Sequence, residues 1–141
     1  MANSPLGNIG MVATSFYVTD LDKAITWYAE KLGLEPMAVG KDGHRYASFS
    51  MGGSIVVLEP IEAALEPEPL SHENTTLNVV VDADPVEVHA ELVARGVYCG
   101  ELAISPNFLS FLVRDLDGNR FYVTRPSNDN ARRSVEELSS D

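Results

Sequence analysis

The sequence repeats one pattern of strand and helix signals at a fixed interval. Val18 and Gly33 bound a helix-like segment, and Val81 and Gly96 bound another, each residue recurring 63 positions further along the chain. In both copies a short apolar strand precedes the segment, and further strands follow it. A repeated unit that cannot bury its apolar face alone packs against its copy. The repeat therefore predicts two similar modules that together form one larger pocket.

Composition restricts the class of protein. The 141 residues are 45% hydrophobic, which suits one globular domain with a sizeable core. With 21 acidic and 10 basic residues the net charge is -11, which disfavours nucleic acid and anionic membranes as partners. No apolar run approaches the roughly 18 residues that span a bilayer. A single cysteine, Cys99, and a polar start at residues 1–6 favour the cytoplasm.

Capping and alternation signals place the elements of both modules. Asp20 and Asp84 can cap helices that Gly33 and Gly96 end. Alternating apolar residues and turn signals together predict strands over residues 10–19, 35–39, 45–51, 54–59, 75–81, 108–113 and 120–124. The segment 97–104 is loosely patterned, so its strand boundaries stay open. Trp27 lies on the first predicted helix, where a tryptophan is expected to pack in the core.

The domain is expected to span residues 1–126, with one module at about 8–60 and the other at about 74–125. A linker over 61–73 separates the modules, and the polar segment 127–141 is expected to be a disordered tail. Within the first module, the Gly52-Gly53 turn predicts a hairpin that pairs Ser48 with Val57.

Two motifs at the ends of the repeat carry a family resemblance. The first runs from Val18-Thr19-Asp20-Leu21 through Ala24 and Trp27-Tyr28 to Leu32-Gly33-Leu34, and the second is Asp115-Leu116-Asp117-Gly118-Asn119-Arg120. Together they resemble the vicinal oxygen chelate superfamily, which includes glyoxalases, extradiol dioxygenases and bleomycin resistance proteins. The resemblance covers about residues 8–125. It implies an α+β fold in which two paired βαβββ modules form a curled eight-stranded mixed sheet around a cavity, with the helices outside.

The resemblance also implies where a metal would bind. The family's metalloenzymes take ligands from four strand positions, which correspond here to Ala13, Glu59, Thr76 and Tyr122. Only Glu59 is a good ligand, whereas such centres need several converging groups. The three histidines lie elsewhere, with His44 in a turn, His72 in the linker and His89 on the second helix. We therefore expect no metal or cofactor, although His72 is the histidine nearest to a ligand position.

The predicted inner face is suited to an organic ligand. It combines tyrosine rings with small polar groups and one charge of each sign. Its residues are Ser15, Tyr17, Tyr46, Ser48, Val57, Glu59, Asn78, Arg120 and Tyr122. An alternative is that Glu59 pairs with Arg120 and the tyrosines fill a closed cavity without a ligand.

Two functions stay open at this point. The first, which we favour, is a metal-independent binding protein that sequesters an antibiotic or another bulky natural product, aromatic or cationic, as bleomycin resistance proteins do. The second is a metal-free isomerase, cyclase or lyase with Glu59 as general acid or base and Tyr46 or Tyr122 as proton donor. The resemblance implies a homodimer in either case, because a second chain commonly completes the site in this family.

Overall fold

A computed structural model describes residues 5–8, 12–40, 45–63 and 77–127 of the chain. Its elements, in chain order, are β1 (Ala13–Val18), α1 (Leu21–Leu32), β2 (Ala38–Gly40), β3 (Tyr46–Met51), β4 (Ser54–Pro60), a 3-10 turn (Ile61–Ala63), β5 (Asn78–Val80), α2 (Pro85–Ala94), β6 (Tyr98–Cys99), β7 (Ala103–Ile104), β8 (Phe108–Arg114) and β9 (Arg120–Pro126). Most of the linker and all but the first residue of the polar tail lie outside the described residues. No helix in the described ranges is long and apolar enough to cross a bilayer.

The strands form two mixed sheets, so the predicted α+β class is confirmed. The first sheet has the order β1-β4-β3-β2, and the second has the order β5-β9-β8-β6 with β7 also paired to β8. In each sheet one pair is parallel, β1 with β4 and β5 with β9, and the other pairs are antiparallel. The described strands do not close into a barrel. They also number nine in two sheets rather than eight in one, because the segment 97–104 forms two short strands on β8.

Both helices begin and end where the sequence predicts. The carboxylate of Asp20 accepts a hydrogen bond from the Lys23 amide, and Gly33 ends α1 in the left-handed conformation at φ 69°. Asp84 caps α2 in the same way, through the Val86 amide at 3.0 Å. Pro85 occupies the first turn of α2, where its missing N–H has no helical partner to lose.

Each helix covers one face of its own sheet and forms an apolar core there. The first core contains Phe16, Val18, Leu21, Ala24, Tyr28, Ala47, Phe49, Val56 and Leu58. The second contains Leu92, Val97, Phe111, Val113, Phe121 and Val123. Trp27, Leu32 and Leu77 pack against both cores. The expectation that Trp27 is a packing residue is therefore confirmed, and α1 is the element that joins the two modules.

Candidate ligand-binding face

Each sheet has a second face that neither of the described helices covers. Along β4, Val56 and Leu58 are buried beneath α1, whereas the alternating Val57 and Glu59 are half-buried on the opposite side. The same alternation holds in β9, where Phe121 is in the core and its neighbours on either side are half-buried. We call the two uncovered faces together the open face.

In the first module, the predicted site residues lie on the open face in neighbouring strands. Ser15 pairs with Val57 and Tyr17 with Glu59 across the parallel β1 and β4. Ser48 pairs with Val57 from the other side, so the predicted hairpin register is confirmed. Tyr46 lies two residues before Ser48 on β3 and is half-buried. Ser48 is only 7% exposed, so it is the predicted residue least accessible to a ligand.

In the second module, Asn78 pairs with Tyr122 across the parallel β5 and β9. The Asn78 amide oxygen accepts a hydrogen bond from the Thr124 hydroxyl at 3.4 Å. Arg120 precedes Tyr122 by two residues on β9 and therefore points to the same side of the sheet. All three predicted residues of this module thus share one face, and their role in binding stays a prediction.

Three residues of the open face were missed by the sequence analysis. Tyr98 and Leu112 belong to segments whose pattern gave no clear face, and the predicted strand over 108–113 ended one residue before Arg114. In the structure Tyr98 pairs with Arg114 on β8, and Leu112 pairs with Tyr122. The turn motif at residues 115–119 could have identified Arg114 as part of the strand. Extending the predicted hairpin by one residue places Arg114 opposite Arg120.

The interval of 63 residues does not extend unchanged through the strands. Tyr17 pairs with Glu59, a separation of 42 residues, whereas Asn78 pairs with Tyr122, a separation of 44. The helices and turns of the two modules also differ in length, with 12 residues in α1, 10 in α2, and a longer turn between β8 and β9 than at Gly52-Gly53. A shift of two residues keeps each side chain on its face. The predicted face is therefore unaffected, whereas the offset of 63 does not relate the paired strands of the two modules.

The side chains at the family's metal positions do not fit a shared ion. Ala13 offers no donor atom and pairs with Ile55, whereas Glu59 pairs with Tyr17 four residues further along β1. At about 3.3 Å per residue these positions are about 13 Å apart, while zinc ligands lie about 2 Å from their ion. Thr76 lies outside the described residues. Within the described ranges, no three histidine, cysteine, aspartate or glutamate side chains converge.

Of the histidines, His89 is the one that the structure describes. Its Nε2 lies 3.0 Å from the Gly100 carbonyl oxygen, and its ring packs edge to face on Phe111 with the centroids 4.9 Å apart. These contacts tie α2 to the second sheet, so His89 has a structural role. His44 and His72 lie outside the described residues.

The Asp-x-Asp-Gly-Asn turn joins the second module to the first through side-chain hydrogen bonds. The buried Asp115 carboxylate accepts from the Tyr28 hydroxyl at 2.8 Å and from the Asn119 side-chain amide at 3.0 Å. The same Asn119 amide donates to the Tyr17 carbonyl oxygen at 3.0 Å. Asp117 accepts from the Thr19 hydroxyl at 2.8 Å. We call these six residues the inter-module network.

Burial of the inter-module network shifts two pKa values. The pKa of Asp115 is raised, mainly because burial disfavours its charged form, although hydrogen bonds from Asn119 and Tyr28 act in the opposite direction. The pKa of Tyr28 is raised far above the ordinary range by burial and by the neighbouring Asp115. Burial thus favours the protonated form of both groups, and the Tyr28 hydroxyl stays the donor of the hydrogen bond to Asp115.

The inter-module network also positions part of the open face. Asn119 fixes the backbone of Tyr17, whose side chain stands beside Glu59, and Arg120 follows Asn119 directly. The end of β1 is thereby held next to the start of β9. The network thus sets the spacing between the two halves of the open face.

The sheet topology, the two-module repeat and the flanking motifs define a two-module α+β protein of the kind that the sequence resembles. Comparison with known families identifies the same superfamily. Residues 9–123 match the model of the Glyoxalase/Bleomycin resistance protein/Dioxygenase superfamily, and the chain belongs to this family. A search of curated proteins found no significant match.

Solved structures with the same fold include two proteins of actinomycetes and one of a thermophile. TnmS3, an antibiotic binding protein from Streptomyces sp. CB03234, is 24% identical with a TM-score of 0.69, and the match covers 85% of this chain and 98% of that one. TioX from Micromonospora sp. ML1 is 24% identical with a TM-score of 0.62, over 82% and 98% of the chains. A superfamily member from Sphaerobacter thermophilus DSM 20745 is 18% identical with a TM-score of 0.71, over 84% and 98%.

Proposed function

We propose that this protein binds and sequesters a bulky organic molecule, an antibiotic or another natural product, on its open face. The observation that carries the proposal is the composition of that face. Tyr17, Tyr46 and Tyr122 are half-buried there, beside small polar side chains, while each sheet buries its other side under a helix. Tyrosine rings give flat apolar contact area with a polar edge. TnmS3 and TioX share this fold, and TnmS3 is an antibiotic binding protein.

The proposal includes the oligomeric state in which the protein binds its ligand. The two sheets leave their open faces uncovered by any described element of the same chain, and a second copy would enclose a ligand between them. We therefore propose a cytoplasmic homodimer that binds without a metal, because Ala13 and Tyr122 supply no good ligands beside Glu59. The carboxylate of Glu59 suits a cationic group on the ligand.

One observation favours a second function. Glu59 is half-buried and stands directly across from Tyr17 on the neighbouring strand, which brings a carboxylate and a phenol to one place on the open face. Such a pair could exchange protons with a bound substrate. This arrangement would serve a metal-free isomerase, cyclase or lyase.

Variants of two residues separate binding from catalysis. A panel of soluble antibiotics is titrated by calorimetry against the wild type, Glu59→Gln, Tyr122→Phe and Tyr122→Ala, and each mixture is examined for product by mass spectrometry. A binder forms no product. For a cationic ligand, Glu59→Gln lowers the binding free energy by about 1 to 3 kcal/mol. Tyr122→Phe lowers the affinity less than Tyr122→Ala does.

An enzyme gives a different pattern. Turnover would be measurable in the wild type and would fall by about a hundredfold or more in Glu59→Gln, with little change in affinity. Glu62→Gln, three residues further on and exposed, is the control for the loss of one negative charge. If Glu59→Gln and Tyr122→Ala leave both affinity and turnover at the wild-type level, the open face is not the site.

A further inference from the structure

The open face of the second sheet has a gap between side chains at Gly100. The Gly100 amide donates a hydrogen bond of 2.8 Å to the Leu112 carbonyl oxygen, which extends the pairing of β6 with β8 by one residue. Tyr98 lies two residues earlier, on β6, so Tyr98 and Gly100 face the same side of the sheet. A glycine in a strand often marks the close approach of a ligand or another backbone. We call the space above the Gly100 backbone the notch.

Leucine and tyrosine side chains border the notch. A Cβ atom added at Gly100 would lie 3.3 Å from the Cβ of Leu112, so the Leu112 side chain is directly beside the gap. Tyr122 on β9 pairs with Leu112 from the other side, and both of these side chains are half-buried. With Tyr98, the notch is therefore bordered by one aliphatic and two aromatic side chains.

Both polar groups of the Gly100 backbone already have partners. Its N–H is bonded to Leu112, and its carbonyl oxygen lies 3.0 Å from Nε2 of His89 on α2. Covering an unbonded polar group with an apolar one has a free-energy cost, whereas a paired peptide can be covered with little loss. The Gly100 peptide is thus a flat surface that an aromatic ring can cover without breaking a hydrogen bond.

Tyr98 gives the notch an exposed aromatic wall. Its side chain is 59% exposed, whereas the other tyrosine, tryptophan and phenylalanine side chains are buried or half-buried. The Arg114 guanidinium stands over the ring, 5.8 Å from its centroid, and also donates a hydrogen bond of 3.4 Å to the Gly118 carbonyl oxygen. A ring that is already oriented loses little conformational freedom when a ligand covers it. The next residue on this side of the strand is Gly100, which has no side chain to shield the ring.

From this arrangement we propose that the notch binds a flat aromatic ring system of the ligand, which lies on the Gly100 peptide between the rings of Tyr98 and Tyr122. The inference rests on the proposed function, because it assigns one part of that ligand to one place on the open face. β6 and β9 flank β8, so they are about 9.6 Å apart at the usual strand spacing. This width suits two fused rings in one plane. A saturated ring system of the same skeleton is puckered and has no π face, so the notch should select aromatic over aliphatic ligands.

Two compounds with the same carbon skeleton provide the test. 2-Naphthol is flat and aromatic, whereas decahydro-2-naphthol is saturated and carries the same hydroxyl. Each is titrated into the intact protein loaded with N-phenyl-1-naphthylamine, a dye that fluoresces on apolar surfaces, and displacement of the dye gives the affinity. We expect 2-naphthol to bind about threefold to tenfold more tightly, because contacts between aromatic rings add that factor to the effect of area burial.

Glycine variants assign this preference to the notch. Gly100→Ala adds a methyl group above the peptide and should reduce the affinity for 2-naphthol by about fivefold or more. Gly53→Ala is the matched control, because neither glycine has a positive φ and a Cβ at Gly53 would meet no atom within 4 Å. The control should keep the wild-type preference for the aromatic compound.

The tyrosine wall is tested separately. Tyr98→Ala should remove most of the preference, whereas Tyr98→Phe should keep it because the ring remains. Ile104→Ala is the control for the loss of an exposed apolar side chain, since Ile104 is 84% exposed and pairs with Leu109 on the opposite face of β8. Gly100→Ala decides the question if Tyr98→Ala changes the oligomeric state, and Tyr98→Ala decides it if Gly100→Ala unfolds.

The outcomes separate this inference from the proposed function. If an antibiotic of the panel binds but the dye does not, or the two compounds bind equally, the notch is not an aromatic site and the proposed function stands. Equal effects of Gly100→Ala and Gly53→Ala, or a full preference in Tyr98→Ala, would also overturn the inference. If neither the antibiotics nor the dye bind, both proposals are contradicted.

Discussion

The hydroxyl of Tyr28 donates a hydrogen bond of 2.8 Å to the buried carboxylate of Asp115, although 87 residues separate the two in sequence. Tyr28 lies on α1 in the first module, and Asp115 begins the β8–β9 turn in the second. The same carboxylate accepts from the Asp117 and Asn119 amides, both at 2.9 Å. Three of the four donors to this buried carboxylate lie in its own turn, whereas the Tyr28 hydroxyl comes from the other module, so the Tyr28 bond couples the packing of the two modules.

Tyr28→Phe tests that coupling. The variant keeps the ring, which stacks on Phe49 at 5.4 Å, and removes one donor from a buried charge. We expect a loss of about 1 to 3 kcal/mol in the free energy of unfolding, measured as a lower urea midpoint at constant slope. Tyr98→Phe removes a hydroxyl from a ring that is 59% exposed and should change stability by no more than about 0.5 kcal/mol. Equal effects of the two variants would show that the Tyr28–Asp115 bond does not stabilise the fold.

Local signals in the sequence were sufficient for the two helices and for the faces of the strands in the first sheet. Asp20, Gly33 and Asp84 determine helix ends through contacts within a few residues, and Gly52 permits the tight hairpin with φ 62°. Alternation in β1 and β4 assigned the faces because one side of each strand is buried. These features depend on neighbours in the chain, so one sequence reveals them.

Features that depend on distant contacts were not predictable in the same way. The strand separations of 42 and 44 residues follow from loop and helix lengths, which the repeat does not fix. The Asp115 turn was recognised as a motif, but its role in joining the modules depends on Tyr28 and Tyr17 in the other module. The pairing of Arg114 with Arg120 needed one more residue of strand than alternation suggested. Sequence patterns carry little information about such long-range partners.

Asp115 should give the protein a distinctive pH dependence. Burial raises its pKa above the ordinary value of 3.8, so the folded state holds the proton to a higher pH than the unfolded chain does. The stabilising contribution is then fully present below about pH 4 and is lost as the pH rises through the folded-state pKa. Asp115→Asn does not titrate at this position.

The measurement compares pH slopes, because Asp115→Asn also loses acceptor capacity and is destabilised at every pH. Urea unfolding curves of both proteins are recorded at several values from pH 4 upward. The free energy of unfolding of the wild type should fall with rising pH relative to that of the variant. Parallel slopes would mean that burial does not raise the pKa of Asp115.

Asp117 has one carboxylate oxygen that the inter-module network leaves unused. Oδ1 accepts from the amide and hydroxyl of Thr19, at 3.1 and 2.8 Å, whereas Oδ2 is buried and accepts no hydrogen bond from the described residues. Asp117→Asn keeps the acceptor for Thr19 and removes a partly buried charge. Its stability should equal or exceed that of the wild type, because an unpaired buried charge is costly.

Two further variants complete this prediction. Asp117→Ala breaks both bonds to Thr19 and should cost about 1 to 3 kcal/mol, while Thr19→Val removes only the hydroxyl bond and should cost about 1 kcal/mol. Thermal or urea unfolding measures all three. Destabilisation of Asp117→Asn as large as that of Asp117→Ala would mean that the charge of Asp117, and not its acceptor to Thr19, is what stabilises the turn.

The last prediction concerns the oligomeric state. Val80 and Tyr98 on the open face are 46% and 59% exposed, and Val39 on the edge strand β2 is 40% exposed. Uncovered sheet faces and edges of this kind favour association of two copies. Sedimentation equilibrium at micromolar concentration should therefore give about twice the chain mass of 15.3 kDa. Val80→Glu should shift the population toward monomer by placing a charge on the open face, whereas Val93→Glu, on an exposed position of α2, should not. A wild-type monomer throughout that range would contradict a site shared between two chains, and the ligand would then have to bind within one.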